Sequence, residues 1–286
     1  MIPKTLGVLL LAASLSAGTA PAASTNSPLN VLQGPAKATL KNIARLDVPA
    51  GYVFLDGDST RKLLKMSGEP VSGGELGMLS PTNDEWTVMF EFDDVGYVKD
   101  DEKDKLDAGK MLAAIKAGTE EANKERAKNG IPPILVVGWE QPPTYNPETH
   151  NLEWAVRATS DGHPILNYNT RLLGRKGVME LVLIVEPDKL AATLPDYKKI
   201  LAHYSFQSGQ SYAEFKPGDK IAAYGLTALV VGGAALGAAK LGLFASLAIL
   251  LKKAWKLVVV AIVAVASFFR KIFARLTGRS TDDRTT

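Results

Sequence analysis

The chain has 286 residues, a formal net charge of +3, 46% apolar and 22% charged residues, three histidines and no cysteine. That length accommodates one sizeable domain with further segments around it. The lack of cysteine excludes a disulfide framework, a thiol nucleophile, thiolate zinc sites and cysteine-ligated iron–sulfur clusters. Charge is unevenly spread: residues 24–239 hold 23 Lys+Arg against 28 Asp+Glu, whereas residues 240–286 hold 9 against 2. The acidic body lacks the concentrated basic surface that a nucleic-acid backbone needs, so no nucleic-acid partner is expected.

Residues 1–23 read as a secretory signal peptide. Lys4 precedes the apolar run from Leu6 to Leu15, and small residues from Ser16 to Ala23 follow. Pro21 disfavours cleavage after Ala20 and moves it to Ala22 or nearby. Residues 24–40, rich in Pro, Ser, Asn and Gly at their start, read as a flexible N-terminal tail.

Residues 41–206 read as an α+β domain, an antiparallel sheet with flanking helices. Strands are expected at 43–48 and 52–55 around the turn Pro49-Ala50-Gly51, with a short helix at 60–66. Trp86, Val88, Phe90 and Phe92 alternate with polar residues, which is the period of a strand with one wet face. A long helix is predicted from about Lys103 to Lys128, with acidic residues at its N-terminal end and a stop at Asn129, Gly130 and Pro132. Four strands follow at 134–139, 152–159, 165–173 and 178–185; the last is apolar on both faces and should be central. A helix near 197–203 closes the domain, and 207–219 reads as a linker.

Residues 220–275 read as a membrane anchor. Residues 221–239 carry no formal charge, and two further apolar runs, 241–251 and 257–269, are flanked by Lys252, Lys253, Lys256, Arg270, Lys271 and Arg275. One firm span is expected. The last run, 13 residues and about 20 Å if helical, is either half of a second span or an interfacial segment. The positive-inside rule sets the basic cluster in the cytoplasm and the domain outside, and residues 276–286 form a polar tail. Lipid is therefore an expected partner. Gly233 and Gly237 form a GxxxG spacing that lets two helices approach closely, so a homo-oligomer through the anchor is expected.

Two strings invite a chemical reading. Asp56-Gly57-Asp58-Ser59-Thr60 follows an apolar strand and resembles the nucleophile motif of haloacid-dehalogenase-type phosphatases, in which the first aspartate attacks phosphorus and the second works as acid/base. Those enzymes need a parallel sheet and a later acidic pair for magnesium, whereas the downstream pattern here is an antiparallel meander. The plainer reading makes Gly57 a turn and Asp58 or Ser59 a helix cap. The second string holds Trp139, Pro142, Pro143 and Tyr145, read either as a stiff aromatic loop fit for partner contact or as a structural loop whose Trp139 and Tyr145 cover the edge of the core. His150, His163 and His203 fall in loops or at element ends, and no pattern calls for a metal or cofactor.

The strings Gly51-Tyr52 with Phe54-Leu55, Trp139 to Tyr145, Leu152-Glu153-Trp154-Ala155, and the small-residue span followed by Lys252, Lys253 and Trp255 resemble bacterial membrane-anchored proteins of domain-of-unknown-function family 2167. The resemblance runs from about residue 40 to 275. It implies a bacterial envelope protein with its domain in the periplasm and its anchor in the inner membrane, and it supplies no catalytic residues. The reading is a non-enzymatic module that contacts an envelope protein; the alternative is a periplasmic hydrolase using Asp56 and Asp58.

If the GxxxG spacing drives association, Gly233→Leu lowers the signal of a transmembrane self-association assay. An unchanged signal removes that role.

Overall fold

The computed structural model describes residues 29–232, apart from 68, 70, 84 and 129; the signal-peptide residues and both anchor glycines, Gly233 and Gly237, lie outside the described residues. The elements in chain order are β1 (Val31–Gln33), β2 (Ala36–Leu40), β3 (Ala44–Val48), β4 (Tyr52–Asp56), α1 (Gly57–Met66), β5 (Glu75–Pro81), β6 (Trp86–Asp93) and α2 (Ala108–Lys128). Then follow β7 (Ile134–Asn146), β8 (Asn151–Ser160), β9 (His163–Leu173), β10 (Val178–Val185), α3 (Leu190–Ala202), β11 (Tyr204–Phe206) and α4 (Leu226–Val231).

Eight strands form one antiparallel sheet in the order β1-β4-β5-β6-β10-β9-β8-β7, and β11-β3-β2 form a smaller one. The α+β class thus holds, dominated by antiparallel sheet. Strand β10 is central, as its two apolar faces require. Met179, Leu181, Leu183 and Val185 point into a core shared with Phe90, Tyr168, the small sheet and Tyr197 and Ile200 of α3. Val178 points the other way, into a second core with Trp154, Leu152, Met111 and Ile115 of α2, and Leu226 and Leu229 of α4.

Strand β5 was not expected from the sequence. It carries no alternation because it is buried on both sides, and Gly77 sits so close under Phe54 that an added Cβ would lie 2.2 Å from the ring. The expected tail, 24–40, is also corrected: β1 and β2 occupy its described part, and Ala38 and Leu40 are buried in the first core. Small residues at alternate positions carried that strand's period weakly. Helix α1 starts at Gly57 rather than Thr60, α2 at Ala108 after a 3-10 turn over Lys103–Lys105, and α3 at Leu190.

The largest correction concerns 207–231, expected as a linker followed by the start of a membrane span. These residues form a strap sewn onto the domain. Glu214 accepts from the Ser211 hydroxyl and from the backbone of Gly209 and Ser211, and Asp219 takes both Nε and Nη2 of Arg175 at 2.7 and 2.8 Å. Tyr212 stacks on Tyr97 at 4.3 Å and donates to the Val98 carbonyl at 3.0 Å. Ile221 bridges Tyr97 in parallel, the Glu102 carboxylate accepts from Thr227 N–H at the start of α4, and Leu226 is fully buried. Apolar composition was the whole sequence signal here, and apolar packing against α2 satisfies it as well as lipid would. Among the described residues no helix is long and apolar enough to cross a membrane.

If the strap is part of the fold, Tyr212→Ala costs about 3 kcal/mol, the range for truncating a buried aromatic. Urea unfolding of the full chain in mild detergent measures it; a cost near zero marks 207–219 as a bare linker.

Candidate functional site

Asp56 ends β4 and is the N-cap of α1. Its Oδ1 accepts from Ser59 N–H and its Oδ2 from the Asn30 side chain, each at 2.8 Å. Partial burial raises its pKa, but the bonds from Ser59 and Asn30 and the charge of Arg61 outweigh this and leave it below the usual value. Asp58, one residue into the helix, is exposed and pairs with Arg61. The cap is therefore Asp56, not Asp58 or Ser59 as expected, and the D-x-D string is explained by helix initiation on an antiparallel strand. Among the described residues no group of three His, Asp or Glu side chains is placed to hold a metal ion.

The stretch expected as an aromatic loop is instead part of β7, a 13-residue strand at the sheet's edge. Its register against β8 shifts three times, between Val136 and Gly138, Trp139 and Gln141, and Gln141 and Thr144. Those irregularities accommodate Pro142 and Pro143, which cannot donate to a ladder and belong at an edge or a bulge. Trp139 and Tyr145 turn inward onto the second core. Trp139 Nε1 donates to the Ala108 carbonyl at 3.0 Å, tying the edge to the start of α2. Tyr145 donates its hydroxyl to Asp100 and meets His150 Nδ1, both at 3.0 Å, and the His150 ring packs at a tilt against Tyr212, centroids 4.3 Å apart. Burial first, and then the Asp100 carboxylate, push the Tyr145 phenol well above its ordinary pKa, so it stays protonated. Of the four residues named for partner contact, Pro142 is exposed and Pro143 half-buried, while Trp139 and Tyr145 cover the core as the structural reading of this stretch expects.

What β7 turns outward was missed at the sequence level. Leu135 and Val137 are 60% and 55% exposed, and Ile131 just before the strand is also exposed. Both lie on the face of the sheet away from α2, beside the exposed Arg157–Glu140 pair. The backbone N–H and C=O of Ile134 are taken by the Asn123 side chain at 2.9 and 2.7 Å, which closes the start of the edge. Beyond Ile134 no strand pairs with the outer side of β7 among the described residues. The strand expected at 134–139 carried no sign of being an edge; that follows only from the strand order.

A second group was missed because its members are far apart in the sequence. Glu75, Glu91, Glu180 and Arg171 lie opposite one another across β5, β6, β10 and β9. Arg171 is 4% exposed, contacts Glu180 at 3.2 Å and lies over the Trp154 ring at 4.9 Å. Sequence periodicity shows which face each residue takes but not which residues become neighbours.

If Asp56 is the cap, Asp56→Ala lowers stability by about 1 kcal/mol and Asp56→Ser restores most of it, read by urea unfolding. Equal losses in both variants point to a role other than capping.

Among solved structures the chain is similar to the solution structure of cyanobacterial PsbP (CyanoP) from Synechocystis sp. PCC 6803, at 10% identity and a TM-score of 0.37, covering 66% of this chain and 98% of that one. No curated protein matches. Residues 32–263 match the family model described as protein of unknown function (DUF2167), the family that the sequence resembled, and the chain belongs to it.

Proposed function

We propose that this protein is a non-catalytic interaction module of the bacterial envelope, tethered to the inner membrane by the apolar region after residue 232, with its domain in the periplasm. The tether reading is supported by the uncharged and basic-flanked runs of the C-terminal sequence and by the signal-peptide pattern. The observation that carries the interaction reading is the edge strand β7, which presents Leu135 and Val137 to solvent over an open backbone row.

An edge of this kind accepts an extended segment of another protein as an added strand, with main-chain bonds giving affinity and alternate side chains giving selectivity. Two features bound the length of such a segment. Asn123 covers the backbone of Ile134, and Pro142 and Pro143 interrupt the ladder at the other end. The usable row therefore runs from about Val136 to Gln141, with apolar contacts at its start and the Arg157–Glu140 pair beside it.

The variant Leu135→Lys/Val137→Lys, in the full chain extracted with mild detergent, is expected to lose a co-purifying partner while its melting temperature stays within about 3 °C of the parent, as exposed substitutions do. A partner retained by this double variant contradicts the reading.

A further inference from the structure

The open stretch of β7 is short and closed at both ends. At its start the Asn123 side chain takes both the N–H and the C=O of Ile134. At its far end Pro142 and Pro143 have no N–H to give. An occupant that fits such a row must itself need no bonds where the edge offers none. A second β7, turned about a two-fold axis passing between Gly138 and Trp139, meets that condition. Val136 then faces Gln141 of the second copy, and Ile134, already satisfied by Asn123, faces Pro143, which has no N–H to leave unpaired. The exposed Leu135 faces the exposed Pro142, so apolar surface meets apolar surface.

The charges fit the same axis. Arg157 of β8 lies opposite Gly138, and a Cβ built on Gly138 meets nothing within 4 Å. The space over Gly138 is therefore open between Arg157 and the edge, where the guanidinium pairs with Glu140. The two-fold sets Glu140 of the second copy opposite Val137, next to Gly138, so the two Arg157–Glu140 pairs come together as a ring of four charges of alternating sign. The other edge of the large sheet, β1, is only three residues long. Pairing it with β7 of another copy leaves an edge free at each end and extends without closing, whereas β7 on β7 closes on itself.

Resting on the edge reading above, we propose that the segment taken up by β7 is β7 of a second copy of this chain, paired antiparallel about the axis between Gly138 and Trp139, so that the two large sheets run on as one. Each copy covers Leu135 and Val137 of the other, and the ring of Arg157 and Glu140 fixes the register, because a slip along the strand separates the opposite charges. A shared membrane confines both copies to one plane and offsets the shortness of the row with a high effective concentration.

The chain has no cysteine, so single cysteines report the register. In this pairing the two copies of residue 138 stand about 6 Å apart, within the span of a disulfide, and the two copies of residue 144 more than about 30 Å apart. In membranes of cells producing the full chain, mild oxidation is expected to link Gly138→Cys into a dimer at least about tenfold more than Thr144→Cys. No dimer at 138, or equal yields at both positions, overturns the proposal. In the Gly138→Cys background, Glu140→Arg alone and Arg157→Glu alone each gather like charges at the axis and lower the yield, and the two variants produced together restore it by pairing with each other. Yields that neither change moves overturn the proposal as well. Loss of some other co-purifying protein from Leu135→Lys/Val137→Lys, without a dimer from Gly138→Cys, excludes the second copy but leaves the edge in use; neither loss nor dimer removes the edge reading with it.

Discussion

Strand β10 constrains the rest of the domain. Its side chains are apolar on both faces, apart from Glu180, so each face of the large sheet must be covered or the strand would expose an apolar stripe to water. One cover is the small sheet with α3, the other α2 with α4 and the strap. These covers differ in origin. The first is drawn from the chain's N-terminal strands and the helix directly after β10, whereas the second reaches across to residues beyond 206, so the domain is complete only when the strap has been laid down.

The strap changes what the C-terminal region means. Ion pairing at Asp219, the packing of Tyr212 between Tyr97, on which it stacks, and the tilted ring of His150, and the burial of Leu226 hold residues 207–231 on the domain. The chain thus arrives at Gly232 from a helix already packed on the protein rather than from a free linker.

Sequence patterns were informative where one physical cause dominated. The β6 alternation, the α2 stop at Gly130, and the two-faced apolar run of β10 were all legible because burial sets each residue locally. Strand β5, buried on both sides and interrupted by Gly77, lost its period; β2 had its period in alanines; and the apolar stretch from Ile221 to Val231 gave the same signal for packing on α2 as for lipid. The candidate site was less legible still. Trp139 and Tyr145 stood out by type but face inward, whereas Leu135 and Val137 became conspicuous only once β7 was seen to end the sheet, and Glu91 only once its neighbours were paired across four strands.

The proposal that the β7 edge takes up a segment of a partner protein is open to a direct labelling test, because the chain has no cysteine of its own. A single Val137→Cys variant can be labelled with a water-soluble maleimide, first in intact spheroplast membranes and then after purification in detergent. The account predicts slow labelling in the membranes and fast labelling once the protein has been separated from its partner. Equal rates in the two settings would contradict it.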